Sequence, residues 1–369
     1  MKRIQSDAEP RHSIRLSIHD VAFGGEGVGR LEGKIVFVPF TIDGEQVEAT
    51  IIDHRKRFDR ARLDSVILPA PERVVPPCVY FAHCGGCDYQ HIAYHHQLEL
   101  KRRQVQHLLE RIGRCHDVNV LPVVACPTHY GFRNRITVHS AGGKIGLFAK
   151  NSRSVVDIEN CAIALPEVNS ELRKLRSAGL TEGKHKTLRA PGVPSTFTQT
   201  NEYMARQLLE YVAAQVTGEV LIDAYCGSGF FGRVLAGHQQ QVIGIDWNAA
   251  AIEAARESAK SNELYVTADV ADVIESLLVE YRPQTIILDP SADGLDHRVS
   301  GALSAAPPER IIYVSCNPAT LARDLARLRN EFQISVVQPF DMFPQTAEIE
   351  TVAVLDRKLL LAPRCSIPL

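Results

Sequence analysis

The stretch that most constrains the fold lies at residues 220–232. It reads Val-Leu-Ile-Asp-Ala-Tyr-Cys-Gly-Ser-Gly-Phe-Phe-Gly, which predicts a strand, a glycine-rich turn and a helix. Such a turn lets a nucleotide approach the backbone at the carboxyl end of a strand in an open α/β sheet. The next apolar run, residues 241–245, ends in Asp246, an acid placed to accept hydrogen bonds from ribose hydroxyls. The sequence therefore predicts a Rossmann-like α/β domain with a nucleotide site.

A second strand, turn and helix are predicted at residues 310–328. An apolar, β-branched run ends in Ser-Cys-Asn-Pro, and Leu321, Leu325 and Leu328 follow at helical spacing. Cys316 is therefore expected at the carboxyl end of a strand and near the amino end of a helix, whose dipole favours thiolate over thiol. A buried, inert cysteine is the alternative interpretation.

Charge is distributed unevenly along the 369 residues. Residues 1–190 hold 28 Lys and Arg against 21 Asp and Glu, a charge of +7, and residues 191–369 hold 13 against 22, a charge of −9. This asymmetry suggests that the first half holds a polyanion and the second half performs the chemistry. No segment approaches the roughly 20 apolar residues of a membrane span, and no signal-peptide core follows the first residues. We expect a cytoplasmic protein that does not bind membranes.

The first 68 residues predict a small β-barrel. Short alternating strands at 14–18, 34–40, 46–52 and 61–67 are separated by glycine turns. The last connection, residues 54–62, places basic residues around Phe58. This mixture suits phosphate contacts and base stacking, although a solvated charged loop is the alternative.

A cysteine array follows a proline-rich linker. Cys78, Cys84 and Cys87 form C-x5-C-x2-C. Cys161 is the best fourth ligand, because the other cysteines lack a comparable setting or belong to other motifs. Four cysteines suit either structural zinc or a [4Fe–4S] cluster, and the spacing does not separate the two; unrelated free thiols are the remaining alternative. A helix over 92–112 and a β-rich segment from residue 130 complete this part.

The glycine turn permits two cofactor classes. Residues 227–232 match G-x-G-x-x-G with an acid 19 positions after the first glycine, which would indicate a dinucleotide. Two other features are instead similar to those of S-adenosylmethionine-dependent methyltransferases. They are Asp223, just ahead of the glycines, and a later strand that ends in Asp289-Pro290. We favour methyl transfer.

Over nearly its whole length the chain resembles the RNA uracil-5-methyltransferase family, in particular members with a TRAM domain and an iron–sulfur cluster that act on 23S rRNA. Residues 20–30 and 36–39 resemble the TRAM barrel, which is of the OB type. The other segments that carry the resemblance are the four cysteines and residues 197–201, 223–229, 315–325 and 341–352. The resemblance implies three domains: a TRAM barrel at 1–70, an α+β middle domain with the cysteine cluster at 71–190, and a class I methyltransferase domain at 191–369.

The resemblance also assigns roles. Cys316 would attack carbon 6 of uracil, and Glu350 would remove the proton from carbon 5; Glu348 is a rival base. S-adenosylmethionine would be bound by Gln199, Tyr225, Phe230, Asp246, Asp269 and Asp289. The expected partner is RNA, 23S rRNA first and tRNA second, and we expect a monomer.

One loop departs from the family pattern. After its Asp-Pro the family usually carries Pro-Arg or Ala-Arg, whereas this chain has Ser291, Ala292 and Asp293. The missing cation would have to come from elsewhere, with Arg298 and Arg323 as candidates. A catalytically silent RNA-binding protein that keeps the fold is therefore the alternative function.

Overall fold

A computed structural model describes residues 13–193 and 199–358. The described residues form two compact units. The first consists of residues 13–104, 127–192 and 343–348, and the second of residues 105–126, 193, 199–342 and 349–358. The division into three domains drawn from the sequence stays a prediction. Among the described residues, no helix is long and apolar enough to cross a membrane.

The amino-terminal part of the first unit is the predicted barrel-like sheet. Its strands are β1 (Ser13–Ser17), β2 (Asp20–Val21), β3 (Glu26–Leu31), β4 (Lys34–Pro39), β5 (Gln46–His54) and β6 (Phe58–Leu68). They are ordered β1-β5-β6-β4-β3-β2, with all neighbours antiparallel except β4 and β6. Alternate residues such as Val36, Val38 and Val47 fill the interior, as the period of two predicts.

The basic stretch at residues 54–62 differs from the prediction. The sequence suggested one long connection, but β6 already begins at Phe58 and only Arg55–Arg57 separate it from β5. The physical reason is that Asp59 is buried on β6 and accepts from Lys34 Nζ at 2.5 Å and pairs with His54 at 3.0 Å. The basic side chains are therefore divided between a three-residue connection, Arg55–Arg57, and β6, which carries Arg60 and Arg62.

The rest of the first unit holds the four predicted cysteine ligands and a four-stranded antiparallel sheet. Its elements are the first part of α1 (Tyr94–Leu108), β7 (Arg135–Ala141), β8 (Lys144–Phe148), β9 (Val155–Asp157), α2 (Pro166–Ala178) and β10 (His185–Arg189). The end of α1, from residue 105, and the π-helical turn at Leu109–Gly113 that continues it are assigned to the second unit. The sheet order is β10-β7-β8-β9. The helix predicted over 92–112 is thus present, with a changed hydrogen-bond pattern in its last turn.

The second unit contains a seven-stranded sheet. Its strands are β11 (Val220–Ala224), β12 (Gln241–Asp246), β13 (Glu263–Thr267), β14 (Thr285–Leu288), β15 (Arg310–Ser315), β16 (Phe332–Phe340) and β17 (Glu350–Arg357). Its helices are α3 (Glu202–Gln215), α4 (Gly232–Leu235), α5 (Ala249–Arg256), α6 (Val270–Tyr281), α7 (His297–Ala305) and α8 (Pro318–Leu328). The order is β13-β12-β11-β14-β15-β17-β16.

This topology fixes where a ligand can bind. The first five strands in that order are parallel, and β17 runs antiparallel to both of its neighbours. The strand order reverses between β11 and β14, so their carboxyl ends border the crevice in which open α/β sheets bind ligands. The predicted class I methyltransferase fold is confirmed.

Candidate active site

The ends of two paired strands bring Cys316 and Glu350 to the same edge of the sheet. Strands β15 and β17 pair in antiparallel register down to Ser315 opposite Thr351. Cys316 is the first residue after β15, and Glu350 is the first residue of β17, so both stand where this ladder ends. Cys316 is exposed, whereas Glu350 is buried and is held on its other side by pairing with Phe340 of β16.

A capped turn carries Cys316 from the strand to the helix. Asn317 is the N-cap of α8, and its Oδ1 accepts from the backbone N–H of Ala319 at 3.1 Å. The Asn317 backbone N–H donates to Ser315 Oγ at 3.2 Å, and Pro318 occupies the first helical turn. Cys316 therefore lies immediately before a helix amino terminus, where the dipole favours an anion, as the sequence predicted.

The rival acid, Glu348, has different surroundings. The sequence argument placed it on the same face as Glu350 by strand periodicity, but β17 begins only at Glu350. Glu348 lies before the strand and is exposed. The alternation that would have aligned the two carboxylates therefore does not apply.

The atypical loop after β14 is anchored to α8. Asn317 Nδ2 and Thr320 Oγ1 both donate to the carbonyl oxygen of Ala292, at 3.1 and 3.0 Å. Arg323 Nη2 donates to the carbonyl of Asp293 at 2.8 Å. The loop thus keeps a defined position beside Cys316 although the family's arginine is missing.

A buried carboxylate, which the sequence analysis did not single out, anchors the same loop. Asp324 is fully buried, and its Oδ2 accepts from Leu295 N at 2.8 Å and from Tyr313 Oη at 2.9 Å. Its Oδ1 accepts from Arg323 Nε at 2.9 Å and from Arg327 Nη1 at 3.1 Å. The only sequence signal was an acid on the apolar side of a strongly amphipathic helix.

The two candidate replacement arginines differ in position. Arg298 is paired with Asp272 at 2.6 Å and with Asp296 at 3.3 Å. Arg323 is paired with Asp324 and donates to the backbone of the atypical loop. Arg323 is therefore the better placed of the two to supply the missing cation.

Three acids lie at the carboxyl ends of the central strands. Asp223 and Asp289 have their pKa raised to about 7, chiefly by burial and further by the neighbouring carboxylates. Asp223 Oδ2 accepts from Gly232 N at 2.8 Å, but its buried Oδ1 has no hydrogen-bond partner within the described part of the chain. Asp246 accepts from Gly227 N at 2.9 Å and from the backbone N–H of the residue two positions on. This acidic crevice suits a ligand with cationic and hydroxyl groups.

The other predicted cofactor residues border the same strand ends. Tyr225 follows β11 with a left-handed backbone (φ 64°), Phe230 is half-buried with its ring edge-on to Phe231 at 4.7 Å, and Asp269 follows β13 and caps α6. Gln199 is half-buried, and residues 197–198 of its motif lie outside the described residues. The sequence analysis did not name Trp247, which directly follows Asp246 and is 74% exposed.

The four predicted cysteine ligands line one cavity of about 320 Å³. Its wall also includes Arg133, Thr137, His139 and Phe148. Burial raises the pKa of Cys84, Cys87 and Cys161, and the neighbouring cysteine sulfurs add to the effect. An effect of one cysteine on the pKa of another requires the two thiols to be near each other. In residues 13–193 and 199–358, however, no three His, Cys, Asp or Glu side chains are arranged to hold a single metal ion.

Backbone contacts fix the cysteine loops. Gly85 N donates to Phe148 O at 2.9 Å, and a Cβ on Gly85 would lie 3.0 Å from that oxygen, so only glycine fits comfortably. On the other side of the cavity, Cys161 N donates to Asn169 Oδ1 at 2.7 Å, and Asn169 Nδ2 donates back to Cys161 O at 3.0 Å. The thiols are therefore presented by anchored loops.

Comparison with known proteins connects these features. A family model described as tRNA (uracil-5-)-methyltransferase matches residues 181–358, and a TRAM-domain model matches residues 8–63. An RNA methyltransferase of Listeria innocua, itself described as uncharacterized, is 30% identical and covers 96% of this chain and 100% of its own length. A second one, from Bdellovibrio bacteriovorus, is 31% identical and covers 93% of this chain and 94% of its own length.

A solved structure agrees with the sequence relatives. Pyrococcus abyssi tRNA (uracil-54, C5)-methyltransferase, in complex with S-adenosyl-L-homocysteine, is 26% identical, covers 93% of this chain and 100% of its own, and has a TM-score of 0.71. Matches of this extent give the expected family. The chain belongs to the RNA uracil-5 methyltransferase family and carries an N-terminal TRAM domain.

Proposed function

We propose that the protein transfers a methyl group from S-adenosylmethionine to carbon 5 of one uridine in structured RNA, with 23S rRNA as the first substrate to test. The observation that supports this best is the antiparallel pairing of β15 and β17, because Cys316 directly follows β15 and Glu350 begins β17 at the same end of the ladder. A tRNA substrate is the second candidate, because the similar solved structure is a tRNA methyltransferase.

Cys316 has the position that a nucleophile needs. Carbon 5 of uracil is too weakly nucleophilic to take a methyl group directly. When the Cys316 thiolate adds to carbon 6, a carbon–sulfur bond forms, the ring double bond opens, and the electron pair is delocalised onto carbon 5 and the carbonyl oxygen. The exposed thiol at a helix amino terminus is accessible to a uracil that has left its helix.

Glu350 would complete the reaction. After carbon 5 has gained the methyl group it still carries its proton, and a base must remove it. The carboxylate takes that proton, the electron pair restores the ring double bond, and the sulfur leaves carbon 6 as thiolate. Glu350 begins β17 at the end of the ladder where Cys316 follows β15, and this is the reason to assign the step to Glu350 rather than to the exposed Glu348.

The crevice beside this pair fits the methyl donor. The Oδ1 of Asp223 has no hydrogen-bond partner among the residues that the structure describes, and it offers an acceptor together with the carboxylates of Asp246 and Asp289. The left-handed turn at Tyr225 allows a cationic nucleoside to approach the backbone closely. S-adenosylmethionine, when bound, supplies a methyl group activated by a sulfonium centre. Gln199, Phe230 and Asp269 are the other residues that we propose to hold it. Arg323 is the proposed cation beside the atypical loop.

Four cysteines around one cavity suit either a [4Fe–4S] cluster or a structural zinc ion, since both are held by four thiolates. Here Cys78, Cys84, Cys87 and Cys161 line a cavity of about 320 Å³. We propose that these four thiolates hold a [4Fe–4S] cluster, which would supply a cross-link between distant parts of the first unit.

A methylation assay tests the proposal. Bulk 23S rRNA and tRNA lacking 5-methyluridine are incubated with labelled S-adenosylmethionine, and the product nucleoside is identified by mass spectrometry. Cys316→Ala should abolish transfer and retain cofactor binding. Glu350→Gln should accumulate a protein–RNA adduct that survives denaturation, because the thiolate cannot leave. Full activity of Cys316→Ala would refute the mechanism, and methylation of tRNA alone would select the second substrate.

A further inference from the structure

The segment of the chain that leads into Glu350 is held by buried polar side chains of the first unit. Strand β16 ends at Phe340 and β17 begins at its paired residue Glu350, so residues 341–349 connect the two strands. Of these, residues 343–348 belong to the first unit. The chain therefore returns to the second unit immediately before the proposed base.

Gln345, in the middle of this segment, has an unusual backbone conformation. It is 2% exposed and left-handed (φ 69°) although it is not a glycine, and such a conformation persists only where its surroundings enforce it. Gln97 Nε2 on α1 donates to Gln345 Oε1 at 3.0 Å, and the Gln345 backbone N–H donates to Gln97 Oε1 at 3.3 Å. The Gln345 carbonyl oxygen accepts from the backbone N–H groups of Asp88 and Tyr89, both at 2.9 Å. Hydrogen bonds thus fix both the backbone and the side chain of Gln345.

Two charged side chains fix the ends of the same segment. Lys101 on α1 is fully buried, and its Nζ donates to the carbonyl oxygens of Phe343 at 3.2 Å and Glu348 at 2.9 Å. Asp88 Oδ2 accepts from the backbone N–H of Ala347 at 3.0 Å. A buried charged group is costly unless hydrogen bonds satisfy it. Displacing the segment would therefore be unfavourable, because it would deprive a buried ammonium group of two acceptors.

We propose that Gln97, Lys101 and Gln345 are positioning residues for the proposed base. Glu350 is the first residue of β17, and the end of a strand is displaced easily when the connection before it loosens. With that connection fixed, the Glu350 carboxylate can take the proton from carbon 5, the electron pair restores the ring double bond, and the sulfur of Cys316 leaves carbon 6 as thiolate. The inference rests on the proposed function and adds to it the residues that hold the base.

Formation of the covalent intermediate depends on a different part of the chain. The turn that carries Cys316 is fixed by hydrogen bonds of Ser315 and of the N-cap Asn317. The hydrogen bonds described above end instead on residues 343–348. Their loss should therefore slow the release of methylated RNA and spare the attack of the thiolate, whereas a change that only destabilised the fold would affect both steps alike.

Single-turnover kinetics test the proposal. Gln97→Met keeps the length of the side chain and removes its hydrogen bonds. The full chain is mixed with labelled S-adenosylmethionine and with 23S rRNA or tRNA lacking 5-methyluridine, and the label is followed in the denaturation-resistant adduct and in released RNA. Gln97→Met should form the adduct at the wild-type rate and release methylated RNA about 100-fold more slowly, since misplacing a catalytic group by about 1 Å costs that much. Gln345→Asn, which shortens the amide by one methylene but tolerates a left-handed backbone, should behave in the same way.

Gln104→Met is the matched control. Gln104 is also a buried glutamine of α1, but its Nε2 donates to the carbonyl oxygen of Val21 and to the Tyr89 hydroxyl, both at 2.9 Å. The same substitution therefore removes buried hydrogen bonds that do not end on residues 343–348. Gln104→Met should release methylated RNA from the adduct at the wild-type rate, and its urea unfolding midpoint shows how much stability each substitution costs.

Hydrogen exchange provides a readout that does not depend on activity. The backbone amides of residues 343–350 should exchange faster in Gln97→Met than in the wild type and at the wild-type rate in Gln104→Met. Unchanged exchange in Gln97→Met, or equally slow release in both variants, would overturn the positioning role. A wild type that methylates RNA beside a Gln97→Met that releases it normally would overturn the positioning role and keep the proposed function. A wild type that neither forms an adduct nor methylates either RNA would remove the proposed function, and the positioning role with it.

Discussion

Replacing Asp324 by asparagine should destabilise the second unit more than an equivalent change at an exposed ion pair. Asp324 is fully buried and accepts hydrogen bonds from Leu295 N, Tyr313 Oη and two arginines. Asparagine preserves the shape, but it removes the charge and turns one acceptor into a donor. Because the Arg323 and Arg327 side chains are 39% and 38% exposed, water compensates part of the loss.

The magnitude follows from the hydrogen bonds that an asparagine at this position cannot make. Hydrogen bonds to a charged group contribute about 1.5–3 kcal/mol each. Taking two of them at the lower end, to allow for the exposed arginines, gives a loss of about 3 kcal/mol in the free energy of unfolding. The same change should lower methyl transfer, since Asp324 helps hold the loop beside Cys316.

The matched control is Asp296→Asn. Asp296 pairs with the exposed Arg298 and caps α7 through a hydrogen bond from Arg298 N at 2.8 Å. Asparagine caps a helix as well as aspartate does, and an exposed ion pair contributes under about 1 kcal/mol. Burial of the carboxylate is therefore the main difference between the two variants.

Urea unfolding followed by fluorescence provides the measurement. Trp247 is the single tryptophan of the chain and lies in the second unit, as Asp324 does. A loss of about 3 kcal/mol should lower the midpoint by about 1 M. Midpoints for Asp324→Asn and Asp296→Asn that agree within experimental error would refute the reasoning.

Two further predictions concern the proposed ligands. The folded-state pKa of Asp223 and Asp289 is raised to about 7, so the folded protein binds extra protons between about pH 4 and 7. The protonated carboxyls favour folding below pH 7, and this stabilisation is lost as the pH rises through 7. A bound sulfonium favours the ionised carboxylates, so the affinity for S-adenosylmethionine should rise about tenfold from pH 5.5 to 7.5. The affinity for S-adenosylhomocysteine, whose sulfur is uncharged, should rise much less. Equal pH dependences of the two affinities in calorimetry would contradict this. The second prediction concerns the cysteine cavity: anaerobically purified Cys84→Ser should lack the iron and the brown colour of the wild-type protein. Cys115 lies outside the cavity wall, so Cys115→Ser should keep both. Colourless wild-type protein with stoichiometric zinc would exclude the cluster.

The sequence predicted the fold better than it predicted the contacts within the site. Strand segments such as residues 220–224 and 285–288 are apolar almost throughout. This pattern indicates a buried parallel sheet even when the strands that pair with each segment are not known. The meeting of the end of β15, before Cys316, with the start of β17, at Glu350, depends on how the two strands align, a register set by packing over the whole sheet. The role of Asp324 was also hidden, because a buried acid and a solvated one look alike in a helix sequence. The start of β6 at Phe58 was not predicted, because the sequence does not show that Asp59 is buried against Lys34 and His54.

The position of β17 has a consequence for synthesis of the protein. It is the last strand of the described chain, yet it lies between β15 and β16 rather than at an edge of the sheet. A nascent chain that has not reached residue 350 leaves two strand edges unpaired, which favours association with other chains. It also contains Cys316, the proposed nucleophile, without Glu350, the proposed base. If these roles hold, a nascent or truncated product that met RNA would have Cys316 without the proposed means of release, so synthesis of β17 sets the point at which turnover becomes possible.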